Sequence, residues 1–180
     1  MDSPIKFCPG CGSVSITWKS AKCFVCLDCG FQLYLNVAAA VAVIIECQGK
    51  LLFGVRKNEP AKGMLDLPGG FVDPGEPADD AALRELCEET GLRLNAVSYV
   101  CSLPNIYPFR GVVYDTLDLV FSVKLDSMPD LKAADDLAEL VWVDIEKIEL
   151  DRIGFVSLRE AVRRYAGDRL NSQAHQNSSG

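Results

Sequence analysis

The chain has 180 residues, of which 49% are hydrophobic and 24% are charged, a balance typical of a folded globular protein. Its net charge of −7 argues against general binding to the phosphate backbone of nucleic acid. No apolar run is long enough to span a membrane, and the start of the chain does not resemble a signal peptide. We therefore expect a cytoplasmic protein whose partner is a small molecule.

The N-terminal segment carries two C-x-x-C-G motifs. Their four cysteines are Cys8, Cys11, Cys26 and Cys29. Two thiolate pairs at this spacing can close a tetrahedral Zn²⁺ site, and a metal would stabilise a segment too short to bury a core of its own. Cys23 leaves the register open, because Cys23 and Cys26 also form C-x-x-C. We prefer Cys29 because the glycine after it repeats the first motif, and we predict a structural zinc ribbon over residues 1–35. A disulfide framework and a redox cysteine pair are the alternatives.

The remaining sequence alternates irregularly between strand and helix patterns. Strands are predicted over residues 31–34, 37–47, 51–55, 65–67, 94–103, 112–125 and 140–143. Helices are predicted between Pro77 and Gly91 and over residues 155–165. Residues 104–111 are predicted to form a loop, and the polar residues 167–180 a disordered tail. This order favours an α+β domain over residues 36–166, with a mixed sheet between helices.

The first predicted helix gathers carboxylates on one face. Pro77 suits its first turn, and Gly91 suits a left-handed cap at its C-terminus. The residues at helical spacing for packing on a core are Leu83, Leu86, Cys87 and Thr90. Glu85, Glu88 and Glu89 fall on the opposite face, where they repel one another. A hard divalent cation such as Mg²⁺ or Mn²⁺ would relieve that repulsion, whereas the alternative is a solvated polar face.

The spacing around this helix is G-x5-E-x7-R-E-L-x-E-E-x-G-L, which resembles the Nudix box at each of its defining positions. Those positions are Gly70, Glu76, Arg84, Glu85, Glu88, Glu89 and Gly91. The resemblance implies a Nudix α/β/α sandwich and a divalent-metal-dependent hydrolysis of a pyrophosphate bond. It implies metal binding by Glu85, Glu88 and Glu89, with the carbonyl of Gly70 as a further ligand. Arg84 would orient these carboxylates.

A further glutamate lies ahead of the last predicted strand. In the Nudix enzymes that this sequence resembles, a glutamate in an E-x-x-W context often adds a metal ligand or a base. Glu139 stands in that context. The alternative for Glu139 is a surface carboxylate at a strand edge.

The order of ribbon and box resembles the group of NADH pyrophosphatases and ADP-ribose pyrophosphatases. The NADH pyrophosphatases carry S-Q-P-W-P-F-P after the box. This chain matches at Ser102, Pro104, Tyr107 and Pro108 and departs at Leu103 and Asn105. We therefore expect cleavage of a nucleoside diphosphate linked to another group, with ADP-ribose slightly preferred over an NADH-type dinucleotide. The candidate substrate-binding residues are Arg56, Tyr107, Phe109 and Tyr114, the aromatic ones through stacking on a nucleobase.

Other functions are also compatible with the sequence. The chain has one histidine, His175, in a polar stretch, which nearly excludes Ser-His or Cys-His catalysis and leaves carboxylates as the main source of bases. A Nudix-fold regulator that senses a nucleotide without cleaving it is one alternative. An enzyme that removes a nucleotide cap from RNA is another. The sequence does not define the oligomeric state, and a homodimer is compatible with it.

Overall fold

The computed structural model describes residues 5–134 and 136–177, with side chains described up to residue 167. The chain divides into two compact units. The first unit comprises Met1–Val37 with Arg110–Val112, and the second comprises Ala38–Phe109 with Val113–Gly180. Within the described residues, no helix is both long and apolar enough to cross a lipid bilayer.

The first unit contains a small antiparallel sheet. Its strands, in spatial order, are β1 (Ile16–Ser20), β2 (Cys23–Cys26) and β3 (Gln32–Tyr34). Phe24 in the central strand is fully buried and lies between the rings of Trp18 and Phe31, at centroid distances of 5.7 and 6.4 Å. This aromatic group is a small core for a unit of this size, so additional cross-linking is expected to stabilise it.

The second unit is built on a mixed sheet. Its strands are β4 (Ala38–Cys47), β5 (Lys50–Arg56), β6 (Leu65–Asp66), β7 (Gly69–Phe71), β8 (Ser98–Phe109), β9 (Val112–Leu125) and β10 (Leu137–Asp144). The main spatial order is β10-β5-β4-β9-β8, with β6 paired to β5 and β7 paired to β4. Strands β4 and β9 run parallel, whereas β10 and β5 run antiparallel. The sheet is therefore mixed, as predicted.

Two helices cover the two faces of this sheet. Helix α1 (Ala78–Thr90) packs with Val41 and Val43 of β4, whereas helix α2 (Val156–Asn177) packs with Ala42 and Ile44. Odd and even residues of a strand point to opposite faces, so the two cores lie on opposite sides of the sheet. Two short 3₁₀ helices, Ile145–Lys147 and Leu150–Arg152, lead into α2. The α/β/α sandwich is confirmed.

Helix α1 begins and ends as its sequence predicts. Pro77 is the N-cap, and Gly91 is the C-cap in the left-handed conformation, with φ of 75°. The Gly91 N–H donates to the Cys87 carbonyl at 3.0 Å. A residue with a β-carbon would be strained there, which explains why glycine ends the helix.

The prediction of a loop over residues 104–111 was wrong. Residues up to Phe109 belong to strand β8, which continues through Pro104 and Pro108. Prolines are tolerated in β8 because it is an edge strand, where a missing N–H need not break a ladder bond. The connection to β9 is a two-residue turn, in which Arg110 and Gly111 both have positive φ.

The backbone of α2 continues as a helix to Asn177, through most of the segment for which the sequence predicted a disordered tail over 167–180. Residues 178–180 lie outside the described part of the chain. A helix that is already nucleated by packing can extend through polar residues, because each added residue then gains a backbone hydrogen bond without a new nucleus. Composition alone does not capture this effect.

Candidate active site

In the first unit, four sulfur atoms form a compact cluster. Its members are Cys8, Cys11, Cys26 and Cys29, whose Sγ atoms all lie within 4.8 Å of one another. The Cys8–Cys29 and Cys11–Cys26 sulfur distances are 3.6 and 3.7 Å. Ligands at a Zn–S distance of about 2.3 Å in a tetrahedron lie roughly 3.8 Å apart, so the cluster fits a zinc ribbon. Cys23 is buried and is not part of this cluster, which favours Cys29 as its fourth member.

In the second unit, Arg84 holds the acidic face of α1 together. Its guanidinium donates to Glu76 through two bonds of 2.8 and 2.9 Å. It also donates to Glu85 at 2.7 Å, to Glu88 at 3.3 Å and to the carbonyl oxygen of Phe71 at 3.1 Å. The hydrogen bonds from Arg84 lower the pKa of Glu76 to about 2, and the paired carboxylates raise the pKa of Arg84. Pairing of Arg84 with these glutamates is the arrangement that the sequence predicted.

Glu89 lies apart from the exposed face of the helix. Its side chain is buried, and its carboxylate accepts a 2.9 Å hydrogen bond from the Gly69 N–H of β7. Burial, together with the nearby charges of Asp66 and Glu85, raises the pKa of Glu89 to about 8, although the Gly69 bond opposes this shift. Glu89 is therefore buried, whereas Glu85 is half-buried and Glu88 is exposed. Four residues after Glu85, Glu89 faces β7, as Glu85 does.

The two glycines of β7 allow this close approach. A β-carbon at Gly70 would overlap the Glu85 carboxylate, and one at Gly69 would overlap the backbone of Val41. Glycine is required at Gly69, where the backbone of the neighbouring strand is in the way, whereas a side chain at Gly70 would displace the Glu85 carboxylate. The Gly70 backbone and the Glu85 side chain are thus brought together at one point.

The carboxylates suit a hard divalent cation in chemistry, because Mg²⁺ and Mn²⁺ prefer carboxylate and carbonyl oxygens. Among the described residues, only the cysteine cluster has its ligand atoms within 4.8 Å of one another. Arg84 is paired with both Glu85 and Glu88.

A cavity of about 130 Å³ opens beside the box, on the α2 side of the sheet. Ala40 and Ala42 of β4 form its floor, and their small side chains leave this space open. Further along the strand, the larger side chain of Ile44 fills the core instead. Gly69, Gly70 and Glu89 border one end. Aromatic side chains form a wall, where the Tyr107 ring lies 5.5 Å from that of Phe71 and 5.7 Å from that of Phe155.

Arg56 lies on one side of this cavity. It is paired with the buried Asp66, donates to the Pro60 carbonyl at 2.6 Å and lies 5.0 Å from the centre of the Phe155 ring. Burial raises the pKa of Asp66 to about 6, although Arg56 opposes this shift. These contacts fix the guanidinium at the cavity wall.

Asp118 lies on another side of the cavity. Its two carboxylate oxygens accept hydrogen bonds from the hydroxyls of Thr116 at 2.8 Å and Ser157 at 2.6 Å. All three residues are buried, and Thr116 and Asp118 line the cavity. Ser157 is the second residue of α2, so the helix and strand β9 together hold this carboxylate in place.

The predicted substrate-binding residues are only partly assembled around the cavity. Arg56 and Tyr107 line it, whereas Phe109 and Tyr114 are 41% and 42% exposed and are not among its lining residues. Glu139 lies within β10 rather than ahead of it, where it is exposed and paired in register with Val55. It is not among the residues that line the cavity.

Sequence reasoning missed Asp66 and Asp118. One signal was present for Asp118. Thr116, Asp118 and Val120 alternate along β9, so a carboxylate occupies a position that points to the same side as a core residue. A charged residue at a core-facing position of a strand indicates a polar site in the fold. No comparable pattern marks Asp66.

Comparison with known proteins finds a matching domain family and similar enzymes. Residues 35–165 match the model of the NUDIX domain. An ADP-ribose pyrophosphatase of Methanocaldococcus jannaschii is 40% identical over 120 residues, which are 66% of this chain and 68% of that protein. The NAD-capped RNA hydrolase NudC of Vibrio cholerae is 27% identical over 153 residues, and the chain spans about half of its length, 52%.

A solved structure extends the likeness to the fold. The crystal structure of a NUDIX hydrolase from Nitrosomonas europaea superposes with a TM-score of 0.71, covers 93% of both chains and is 24% identical. At that identity, the superposition shows the fold alone. The domain match covers well over half of the chain, and its box is complete at the helix that bears Glu85, Glu88 and Glu89. On this basis, the chain belongs to the Nudix family of hydrolases that cleave pyrophosphate bonds.

Proposed function

We propose that the chain hydrolyses the pyrophosphate of ADP joined to a sugar, with ADP-ribose as the representative substrate. The observation that carries this proposal is the 40% identity to an ADP-ribose pyrophosphatase. The geometry supports it, because Glu89 and the Gly70 backbone of the box border a cavity with space for a group attached to the pyrophosphate. A nucleoside triphosphate would offer no such group.

The proposed metal site consists of Glu85, Glu88 and Glu89, with the Gly70 carbonyl as a further ligand. Bound Mg²⁺ or Mn²⁺ would neutralise phosphate charge and lower the pKa of an attacking water. The role of Arg84 is to position the carboxylates, since it contacts Glu76 and Glu85 at once. Glu139 is proposed as a weaker contributor, because it is exposed on β10.

The residues around the cavity would bind the substrate. Arg56 is held rigidly at the wall by Asp66 and Phe155, so its remaining donor capacity is pre-organised for a phosphate oxygen. Tyr107 offers an aromatic face. Phe109 and Tyr114 are exposed to about the same degree and would contact parts of the substrate that extend beyond the cavity.

A substrate panel tests the proposal. Purified protein with Mg²⁺ is assayed on ADP-ribose, NADH, NAD⁺, nucleotide sugars, ATP and dGTP, with products identified by mass spectrometry. We expect kcat/KM to be highest for ADP-ribose and the products to be AMP and ribose 5-phosphate. The Glu85→Gln variant serves as the control for contaminating activity. A higher kcat/KM for ATP or dGTP than for both ADP-ribose and NADH would refute the proposal.

A second candidate is hydrolysis of an NADH-type dinucleotide or of a nucleotide cap on RNA. The similarity to an NAD-capped RNA hydrolase over 153 residues favours it. The net charge of −7 disfavours retention of RNA. Release of a nucleotide from capped RNA at a kcat/KM above that for ADP-ribose would support this candidate over the first one.

The proposed role of the cysteine cluster is structural. One Zn²⁺ held by Cys8, Cys11, Cys26 and Cys29 would stabilise the ribbon, whose aromatic core is small. A homodimer remains a prediction. Sedimentation equilibrium of the intact chain would test it directly.

A further inference from the structure

We propose that the cavity beside the box binds the sugar ring of the substrate, and that Asp118 is a specificity-determining residue that accepts a hydrogen bond from a sugar hydroxyl. The inference rests on the proposed function, because it identifies which part of the substrate the cavity takes. It assigns a role to a buried carboxylate that the box chemistry does not use. Asp118 acts here in substrate selection rather than in metal binding.

The size of the cavity favours a single ring. Its volume is about 130 Å³. An engineered protein cavity of roughly 150 Å³ accepts one benzene molecule. A pentose ring fits this space, whereas the two fused rings of a purine would need more of it. The floor of Ala40 and Ala42 is what creates the space.

The polarity of the wall favours a ligand that donates hydrogen bonds. Thr116 and Ser157 both direct their hydroxyl hydrogens to Asp118, so their oxygens and the free lone pairs of the carboxylate are left as acceptors. A sugar presents several hydroxyl donors, which match such a surface. Adenine presents a ring nitrogen acceptor beside its amine, and that acceptor would face the carboxylate unfavourably.

The charge of Asp118 also orients the substrate. Asp118, Ala40 and Phe71 lie in register on three adjacent strands, β9, β4 and β7. Strands are about 4.8 Å apart, so Asp118 lies roughly 10 Å across the sheet from β7 and the box glycines. In the proposed metal site, cations would offset the charge of Glu89 at the end near β7, whereas Asp118 lies outside that site and repels phosphate. The pyrophosphate is therefore expected at the end near β7 and the sugar at the end near Asp118. A pentose 5-phosphate, together with the Asp118 side chain, is long enough to bridge this span.

The aromatic wall completes the sugar site. Tyr107 and Phe155 have centroids 5.7 Å apart at an interplanar angle of 31°, so their rings are in contact and only moderately tilted from parallel. The apolar C–H face of a sugar can pack on such rings while its hydroxyls point to Asp118. The same cavity thus offers an apolar face and an acceptor surface.

The test compares two substrates, of which only the first carries hydroxyls on its five-membered ring. The first is ADP-ribose, and the second is ADP esterified with cyclopentylmethanol, which keeps a five-membered ring without hydroxyls. The measured quantity is the ratio of kcat/KM for ADP-ribose to kcat/KM for the analogue. We expect Asp118→Asn to lower this ratio about tenfold or more, because a substrate hydroxyl loses its charged acceptor. Asp115→Asn, an exposed change on the same strand, should leave the ratio unchanged.

The outcomes are distinct. An unchanged ratio in Asp118→Asn would overturn the inference, whether or not the two activities fall. A purely structural role predicts this result, because it lowers both kcat/KM values by the same factor. If Asp118→Asn does not fold, Ser157→Ala replaces it, since removal of one of the two hydroxyls that hold Asp118 should lower the ratio about threefold. An unchanged ratio in that variant would equally overturn the inference.

A binding measurement separates this inference from the proposed function. If the protein cleaves neither substrate, the proposed function fails, and calorimetric titration with ribose 5-phosphate and with cyclopentylmethyl phosphate then decides about the cavity. Tighter binding of ribose 5-phosphate, with the difference lost in Asp118→Asn, supports the sugar site. Equal binding of the two probes refutes it.

Discussion

Replacement of Arg84 by methionine tests how the box is organised. Methionine keeps much of the alkyl stem but removes the donors that join Glu76, Glu85 and Glu88. Hydrogen bonds to charged groups contribute ~1.5–3 kcal/mol each, whereas exposed ion pairs contribute only ~0–1 kcal/mol. The side chains of Arg84 and Glu76 are 28% and 17% exposed, so the paired bonds between them lie between these limits. We expect Arg84→Met to lower the free energy of unfolding by about 2 kcal/mol without metal.

The assay is urea unfolding in the presence of EDTA, followed by metal titration and steady-state kinetics. Arg84→Lys keeps the charge but not the bidentate geometry of the guanidinium. It should therefore lower the free energy of unfolding by about half as much as Arg84→Met does. A double-mutant cycle with Glu76→Gln should give a coupling energy of about 1 kcal/mol. Activity should fall roughly 10- to 100-fold in Arg84→Met, because the carboxylates lose their orientation.

The control for this series is Arg93→Met, an exposed arginine just beyond the helix. Its effect on the free energy of unfolding should stay within about 0.5 kcal/mol. If Arg84→Met is no less stable than this control, the hydrogen bonds of Arg84 do not hold the acidic face together. Unchanged activity would show that the carboxylates do not depend on it for their orientation.

Three further predictions concern other parts of the molecule. Cys8→Ser should lower the zinc content well below one ion per chain and lower the melting temperature, as elemental analysis and calorimetry would show; full zinc retention would contradict the cluster assignment. Glu85→Gln and Glu89→Gln should each remove most activity with circular dichroism unchanged, and near-normal turnover in both would exclude the box as the catalytic centre. Asp66 has a folded pKa of about 6, above the ordinary value of 3.8, so its contribution to stability is lost as pH rises through that range. Between pH 4.5 and 7, the free energy of unfolding in urea should fall more in the parent than in Asp66→Asn. Equal decreases in the two proteins would contradict the raised pKa of Asp66.

The sequence predicted most of the architecture because the decisive signals are local. Pro77 and Gly91 bracket α1, the long apolar run of β4 indicates a buried strand, and the β-branched and aromatic residues of β9 indicate another. The orienting role of Arg84 was implied by the resemblance to the Nudix box, and Arg84 is paired with Glu85 and Glu88. These features depend on residues a few positions apart, so a single sequence contains them.

The features that the sequence did not predict depend on contacts between distant residues. Glu89 becomes buried because Gly69, twenty positions earlier, offers an N–H to its carboxylate. Asp118 becomes part of a polar site only when Ser157 is brought to it by α2. Phe109 and Tyr114 have the composition of a stacking surface, but the course of β8 and β9 leaves both outside the cavity lining. The periodicity of a sequence does not indicate contacts between residues that are far apart in the chain.

The prolines of the edge strand β8 also limit how copies of this protein can associate. Exposed strand edges can pair with another chain, which leads to sheet extension or aggregation. Pro104 and Pro108 are four residues apart, so their missing N–H groups lie on the same side of the strand. That side is the free edge, because proline on the β9 side would remove ladder bonds. An incoming strand would therefore lack a donor at two positions on this edge, which weakens its pairing there, so we expect any dimer to form through another surface.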